Sequence, residues 1–150
     1  MSNIKLDIKF KTVCIASDHA GYKLKEVIKN HLIDKNVSIF DMGPFNENSV
    51  DYPDYAKKLA KRIKRKKSDA GILVCGSGTG MAISANKIKS IRAAVCYNLK
   101  STRLCRQHNN ANIISLGARL TKKKLSLKLV EAFLRTKFEG GRHLRRVKKI

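Results

Sequence analysis

Asp18 and His19 in SDHAG, Cys75 in VCGSGTG and His108 in RQHNN are the side chains of this 150-residue sequence whose types suit proton transfer. Each lies next to an apolar run but among polar neighbours. A carboxylate, two imidazoles and a thiol gathered at one edge of a sheet would support general acid–base chemistry. Two blander roles compete with this reading. Asp18 could serve only as the N-cap of a first helix, and His31, inside a helical pattern, is best read as a structural residue with a satisfied hydrogen bond.

The stretch VCGSGTGMAISANK, residues 74–87, ends an apolar run at Cys75 and continues with Gly76, Gly78 and Gly80. A dinucleotide fingerprint needs GxGxxG after the first strand, with an acidic residue about twenty positions on. Here position 81 is Met and the preceding run is the third in the chain. A P-loop needs GxxxxGK[ST], and no Lys follows Gly80. With both excluded, what remains is a strand, a glycine turn and a helix whose first N–H groups point back at the loop. That nest of amides suits an oxyanion or phosphate and would favour the Cys75 thiolate relative to a free cysteine of pKa about 8.5. Cys75 could equally be the last core residue of its strand, and the loop by itself leaves both roles open.

Positioning such residues requires a scaffold, and the alternation of apolar runs with helical periods predicts one α/β domain over 1–150 with a five-stranded parallel sheet in a Rossmann-like three-layer sandwich. The strand candidates are residues 12–17, 37–40, 70–75, 92–97 and 112–117. Helical faces are made by Leu24, Val27, Ile28 and Leu32, by Tyr55, Leu59 and Ile63, and by Leu125, Leu129, Val130 and Phe133, with a shorter polar candidate over 99–108. Residues 41–54 hold both prolines and read as a loop. In an open parallel sheet, ligands bind beyond the carboxyl ends of the strands. The expectation is therefore one pocket formed by SDHAG, the Tyr52 loop, CGSGTG and QHNNAN. After the last helix, Gly140 and Gly141 are expected to stop the chain's helical course and release a basic tail, 139–150, that docks on another surface.

The formal net charge is +22, and eight of the eleven residues in KKLAKRIKRKK, 57–67, are Lys or Arg. Nucleic acid must be weighed, but Leu59, Ala60 and Ile63 recur at helical spacing, and the chain has no Trp to build a stacking platform. A solvated basic face is the better reading, and it favours anionic ligands such as phosphorylated metabolites. The four cysteines form no CxxC pair and no metal-finger spacing, so reduced thiols in a cytoplasmic protein are expected, with Cys14 and Cys96 as small core residues. No run is long and apolar enough for a membrane span, and the N-terminus lacks a leader's apolar region.

ASDHAGYKLK, DYPDYA, GILVCGSGTGMAISANK, IRAAVCYN, STRLCRQHNNANIISLGAR and FEGGRHLRRV occur in one order from residue 16 to 147. Together they resemble the type B ribose-5-phosphate isomerases, within the group that includes allose- and galactose-6-phosphate isomerases. The resemblance implies a homodimer or homotetramer with active sites shared between subunits, no membrane or nucleic-acid partner, and a cofactor-free, metal-free aldose–ketose isomerase of the pentose phosphate pathway. It implies that Cys75 is the base forming an enediolate, that the Gly76, Gly78, Thr79 and Gly80 loop stabilises the oxyanion, and that Ser77 helps move the hydroxyl proton. His108 would open the furanose ring with help from Asp18, and Tyr52 and Asn109 would contact the sugar. His19, Arg119, Arg142 and Arg146 would bind phosphate, some of them from a neighbouring subunit. The departures are an N-terminal extension of about nine residues and the lysine load. Two alternatives stay open: the same chemistry on a hexose phosphate such as allose 6-phosphate, and a basic nucleic-acid-binding protein on this scaffold.

Overall fold

The computed structural model describes residues 6–150, so the first five residues of the expected extension lie outside the described residues. The elements run β1 (Val13–Ser17), α1 (Tyr22–Asp34), β2 (Ile39–Asp41), α2 (Tyr52–Lys64), β3 (Ala70–Cys75), α3 (Thr79–Asn86), β4 (Ala93–Val95), α4 (Leu99–Gln107), β5 (Ile113–Gly117), α5 (Lys123–Arg135) and α6 (Arg142–Val147). All strand pairs are parallel, in the order β2-β1-β3-β5-β4.

The central strands VCIAS, AGILVC and IISLG are buried throughout, as strands covered on both faces must be. Their alternation divides the core. Ile15, Ile72 and Ile114 face α1, α4 and α5 with Ile28, Leu32, Leu129 and Phe133, while Ala16, Leu73 and Ile113 face α2 and α3 with Leu59, Ile63 and Met81. After β1 the chain turns to one face and after the adjacent β3 to the other. This divergence is the switch point at which an open α/β sheet forms its crevice.

The expected amphipathic helix over 57–67 is α2: Ala56, Leu59, Ala60 and Ile63 are buried and Lys57, Lys58, Lys61 and Lys64 are exposed. Arg62 lays its guanidinium over the Phe40 ring at 3.8 Å, so part of the basic load is held by aromatic surface. Of the extension, Leu6 is buried and Phe10 packs against Phe133 with ring centroids 6.4 Å apart.

Several expectations are corrected. Tyr52 and Pro53 do not lie in the loop but open α2, where a proline's missing N–H leaves no helical bond unmade. Asp18 does not cap α1, which begins at Tyr22 after Gly21; its Oδ1 accepts the Gly21 N–H at 2.9 Å and holds the turn ahead of the helix. β4 stops at Val95, leaving Cys96 just beyond the strand, although it is buried as expected. α5 ends at Arg135, before the glycines, and the tail folds into α6 rather than running as free coil. Among the described residues, no helix is long and apolar enough to cross a membrane.

Candidate active site

The carboxyl ends of β1 and β3 meet at the switch point. Ser17 pairs in register with Val74, and the Asp18 N–H donates to the Val74 carbonyl at 3.1 Å, which sets Asp18 beside Cys75. Cys75 is buried at 5% exposure, and the Gly78 N–H donates to its Sγ at 3.1 Å. A donated amide proton stabilises negative charge on sulfur. Gly78 reaches that position with φ +82, and a Cβ there would stand 3.0 Å from the Leu116 carbonyl carbon, so both conformation and space demand glycine. The Ser115 hydroxyl donates to the Gly78 carbonyl at 2.6 Å and fixes the turn from below.

The Ser77 hydroxyl accepts the Thr79 N–H at 3.2 Å. With the Gly78 amide turned to sulfur, the Gly80 and Met81 N–H groups at the start of α3 have no acceptor among the described residues. They are free donors for an oxyanion. Tyr52 leans on this turn with its ring against Gly80. Arg119 follows β5, its N–H donating to the Gly76 carbonyl at 3.0 Å and its guanidinium running alongside Gly76. His19 Nδ1 accepts the Val50 N–H at 3.2 Å, which assigns the proton of the neutral ring to Nε2. Asp18, His19, Tyr52, Cys75, Ser77 and Arg119 are thus gathered at one edge. Tyr97 joins them unforeseen: its hydroxyl donates to the Ser77 carbonyl at 3.0 Å. An aromatic hydroxyl just past a strand's carboxyl end was the available signal.

His108 and Asn109 are not part of this cluster, contrary to the expectation of one shared edge. α4 leaves the carboxyl end of β4 and runs back, so its C-cap His108 arrives where β4 and β5 begin. Arg92, immediately before β4, donates its Nε to the carbonyls of Asn109 at 3.2 Å and Asn110 at 3.0 Å. A strand of five residues at roughly 3.3 Å each separates the two edges by on the order of 15 Å. Residues of one chain therefore cannot bring His108 to Cys75.

At the amino edge, α6 builds a second cluster. The His143 ring stacks on His108 with centroids 4.2 Å apart and 13° between planes. His143 Nε2 lies 3.6 Å from Glu139 Oε2, and His108, Asn109, His143 and Arg146 line a hollow of about 410 Å³. Partial desolvation, followed by the neighbouring His108 and Arg142 charges, holds the His143 pKa below the ordinary histidine value. His143 escaped the sequence reading because RHLRR looks like a charged tail. Donor atoms of His108, Glu139 and His143 lie within 4.8 Å of one another. Stacked rings, however, aim their in-plane lone pairs in parallel rather than at a common point, and Arg142 and Arg146 flank the group. As built, it is not a metal centre.

His31 has the structural role expected, with Nε2 2.7 Å from Glu131 Oε1. Burial pushes the Cys14 thiol up to about 11, as suits an inert core residue.

The Ribose/Galactose Isomerase family matches residues 13–150. The ribose-5-phosphate isomerase B of Escherichia coli strain K12 is 40% identical over 140 residues, 93% of this chain and 94% of its own length. Among solved structures, a ribose 5-phosphate isomerase from Thermotoga maritima is 50% identical with a TM-score of 0.90, over 92% of this chain and 95% of that one. The ribose-5-phosphate isomerase B of Mycoplasma genitalium, with ribulose 5-phosphate bound, is 42% identical with a TM-score of 0.88 over 92% of each chain.

Proposed function

Because the chain belongs to the ribose/galactose isomerase family, we propose that it interconverts ribose 5-phosphate and ribulose 5-phosphate with Cys75 as the base. The observation carrying this reading is the Gly78 amide donating to Cys75 Sγ beside Asp18 at the switch point. The Cys75 thiolate takes the C2 proton of the open-chain aldose, and the electron pair moves to the C1 carbonyl oxygen, giving an enediolate. Gly80 and Met81 N–H groups face that oxyanion, with the Gly76 to Gly80 turn shaping the cradle. The O2 proton passes to O1 with help from Ser77, Cys75 returns its proton at C1, and the carbonyl is left at C2. No redox partner enters, because the electrons only move from C2 to C1.

His19 and Arg119 hold the phosphate at this edge, and Tyr52 contacts the sugar. His108, which opens the ring with Asp18, comes with Asn109, Arg142 and Arg146 from a second copy of the chain. A dimer or tetramer that sets the amino edge of one copy against the carboxyl edge of another resolves the separation of the two clusters. Residues 139–150 then have their docking role at that interface. Four reduced thiols fit a cytoplasmic setting. The test is an aldose–ketose assay of the purified protein on ribose 5-phosphate and on allose 6-phosphate. Turnover preferring the pentose is expected, and a clear preference for the hexose would overturn the substrate assignment.

A further inference from the structure

Cys96 and Cys105 take no part in this chemistry, yet their sulfurs are 3.9 Å apart, both buried, one just past β4 and the other on α4. We propose that this pair is a modification site, a dithiol that a hydroperoxide converts to a disulfide, displacing α4 and the residues at its end. The displacement of His108 matters for turnover only if the functional reading above holds; formation of the bond does not depend on it.

The geometry supports the pairing. Two sulfurs in contact need to close by roughly 2 Å to reach a bonded separation. Cys105 donates its S–H to the Thr102 carbonyl at 3.1 Å, and oxidation removes that anchor. Cys105 also lines an open cavity of about 310 Å³ at the amino edge, beside Arg92 and Asn109, which gives a small oxidant a route in. Contact with the Cys105 sulfur lowers the Cys96 pKa, while Cys105 is raised by its contact with Cys96 and by burial. Of the two thiols Cys96 is therefore the one that gives up its proton more readily, and the thiolate is the nucleophilic form. Cys14, buried and without a sulfur neighbour among the described residues, offers no such chemistry.

The Cys96 thiolate attacks one peroxide oxygen, giving a sulfenic acid and hydroxide, which takes the Cys105 proton to become water. The Cys105 thiolate then attacks the sulfenic sulfur, forming the S–S bond and expelling hydroxide, which leaves as the second water once protonated by solvent. Two thiols are oxidised by two electrons and one peroxide is reduced to two waters. His108 and Asn109 lie three and four residues beyond Cys105, at the end of the helix that must move. A shift of about 1 Å in a catalytic group can cost on the order of 100-fold in rate.

The experiment has two arms. Cys75→Ser protein, which removes the other reactive thiol, is treated with hydrogen peroxide and digested with trypsin without reduction. The expected product is the peptide of residues 93–100 linked to that of 104–106, two hydrogens lighter than their sum and absent after dithiothreitol. Its absence at peroxide levels that oxidise the protein elsewhere overturns the site. In the second arm, wild type and Cys105→Ser are treated with diamide and assayed. Wild type is expected to lose at least about tenfold more activity than Cys105→Ser, with recovery in dithiothreitol. Equal losses overturn the coupling to α4. If the linked peptide forms but untreated wild-type protein has no isomerase activity, the functional reading has failed and the dithiol site stands.

Discussion

The ring of Tyr52 lies so close to the backbone of Gly80 that a β-carbon at Gly80 would stand 2.7 Å from it. Gly80 is in the first turn of α3, where alanine is otherwise favoured over glycine by about 1 kcal/mol. The two effects act on different quantities. Gly80→Ala is expected to keep or slightly raise the melting temperature, because the tyrosine ring can swing aside. It should raise KM for ribose 5-phosphate, because the swung ring no longer meets the sugar. Thermal melts and steady-state kinetics on one preparation separate the two, and an unchanged KM would remove Tyr52 from the site.

Cys75→Ser replaces a thiol with a hydroxyl that is almost never ionised near neutral pH. The expected loss in kcat is at least about 1,000-fold, within the range for removing a positioned acid–base group. The fold should survive, since the Gly78 N–H can still donate to the serine oxygen. Exchange of the C1 proton of ribulose 5-phosphate with D2O, followed by NMR, should vanish with it. Retained exchange would show that another group takes the proton.

The scaffold was legible because apolar periodicity reports burial, and burial decides β1, β3 and β5. The turn after Cys75 was legible because Gly78 has φ +82 and a Cβ there would stand 3.0 Å from the Leu116 backbone, a place only glycine fills without strain. His108 was misplaced for a definite reason. The rule of carboxyl ends applies to residues that follow a strand, whereas His108 precedes β5 and is separated from β4 by a returning helix of nine residues. Counting that helix would have put it at the opposite edge. Tyr97 was missed although its place just past β4 was visible, because only the tertiary contact with the Ser77 carbonyl gives that place a role, and the contact of His143 with the His108 ring is one that no local pattern encodes.

Lys25 is another residue whose role only packing reveals. Its side chain is fully buried, and Nζ donates to Asp41 Oδ1 at 2.9 Å, to Asp41 Oδ2 at 2.8 Å and to Glu26 at 2.9 Å. Burial alone would raise both carboxyls, but hydrogen bonds from Lys25 and Lys29 outweigh it and hold Asp41 and Glu26 below their ordinary values. Because the folded pKa values are depressed, the stabilisation is complete above the ordinary carboxylate range of about 4 and is lost as pH falls through the folded values. Lys25→Met should destabilise by on the order of 2 kcal/mol at pH 7, since it takes a charged donor from the partly buried Asp41 carboxylate, which keeps Lys29 and the Gly43 N–H. Denaturant melts between pH 3 and 7 should also show a shallower acid slope in the variant. A parallel pair of curves would mean that Lys29 alone sets the carboxylates.

His143 works with the opposite ionisation. Its folded pKa is depressed and the neutral ring is the one that stacks on His108, so its stabilisation is complete above the ordinary histidine value of about 6.5. As pH falls below that value the unfolded chain takes up a proton that the folded chain refuses, and stability declines. His143→Phe keeps a flat ring against His108 but cannot titrate. Its melting temperature should therefore change less than that of wild type between pH 7 and 5. An unaltered pH dependence would place the titration elsewhere.

The separation of Cys75 from His108 makes the sharpest prediction about assembly. Cys75→Ser and His108→Asn should each be nearly inactive as homo-oligomers. In a mixed dimer, the intact Cys75 of one copy meets the intact His108 of the other at one of the two sites, while the second site carries both lesions. Random co-assembly at equal amounts makes half the dimers mixed, so about a quarter of wild-type activity should return for a two-fold symmetric dimer. Co-expression with two affinity tags, purification of the doubly tagged species and assay provides the measurement. That species alone should show about half the wild-type rate per dimer, because one of its two sites is whole. Activity no greater than the mean of the two parents would mean that each chain completes its own site, which α4 could allow only by reversing its course.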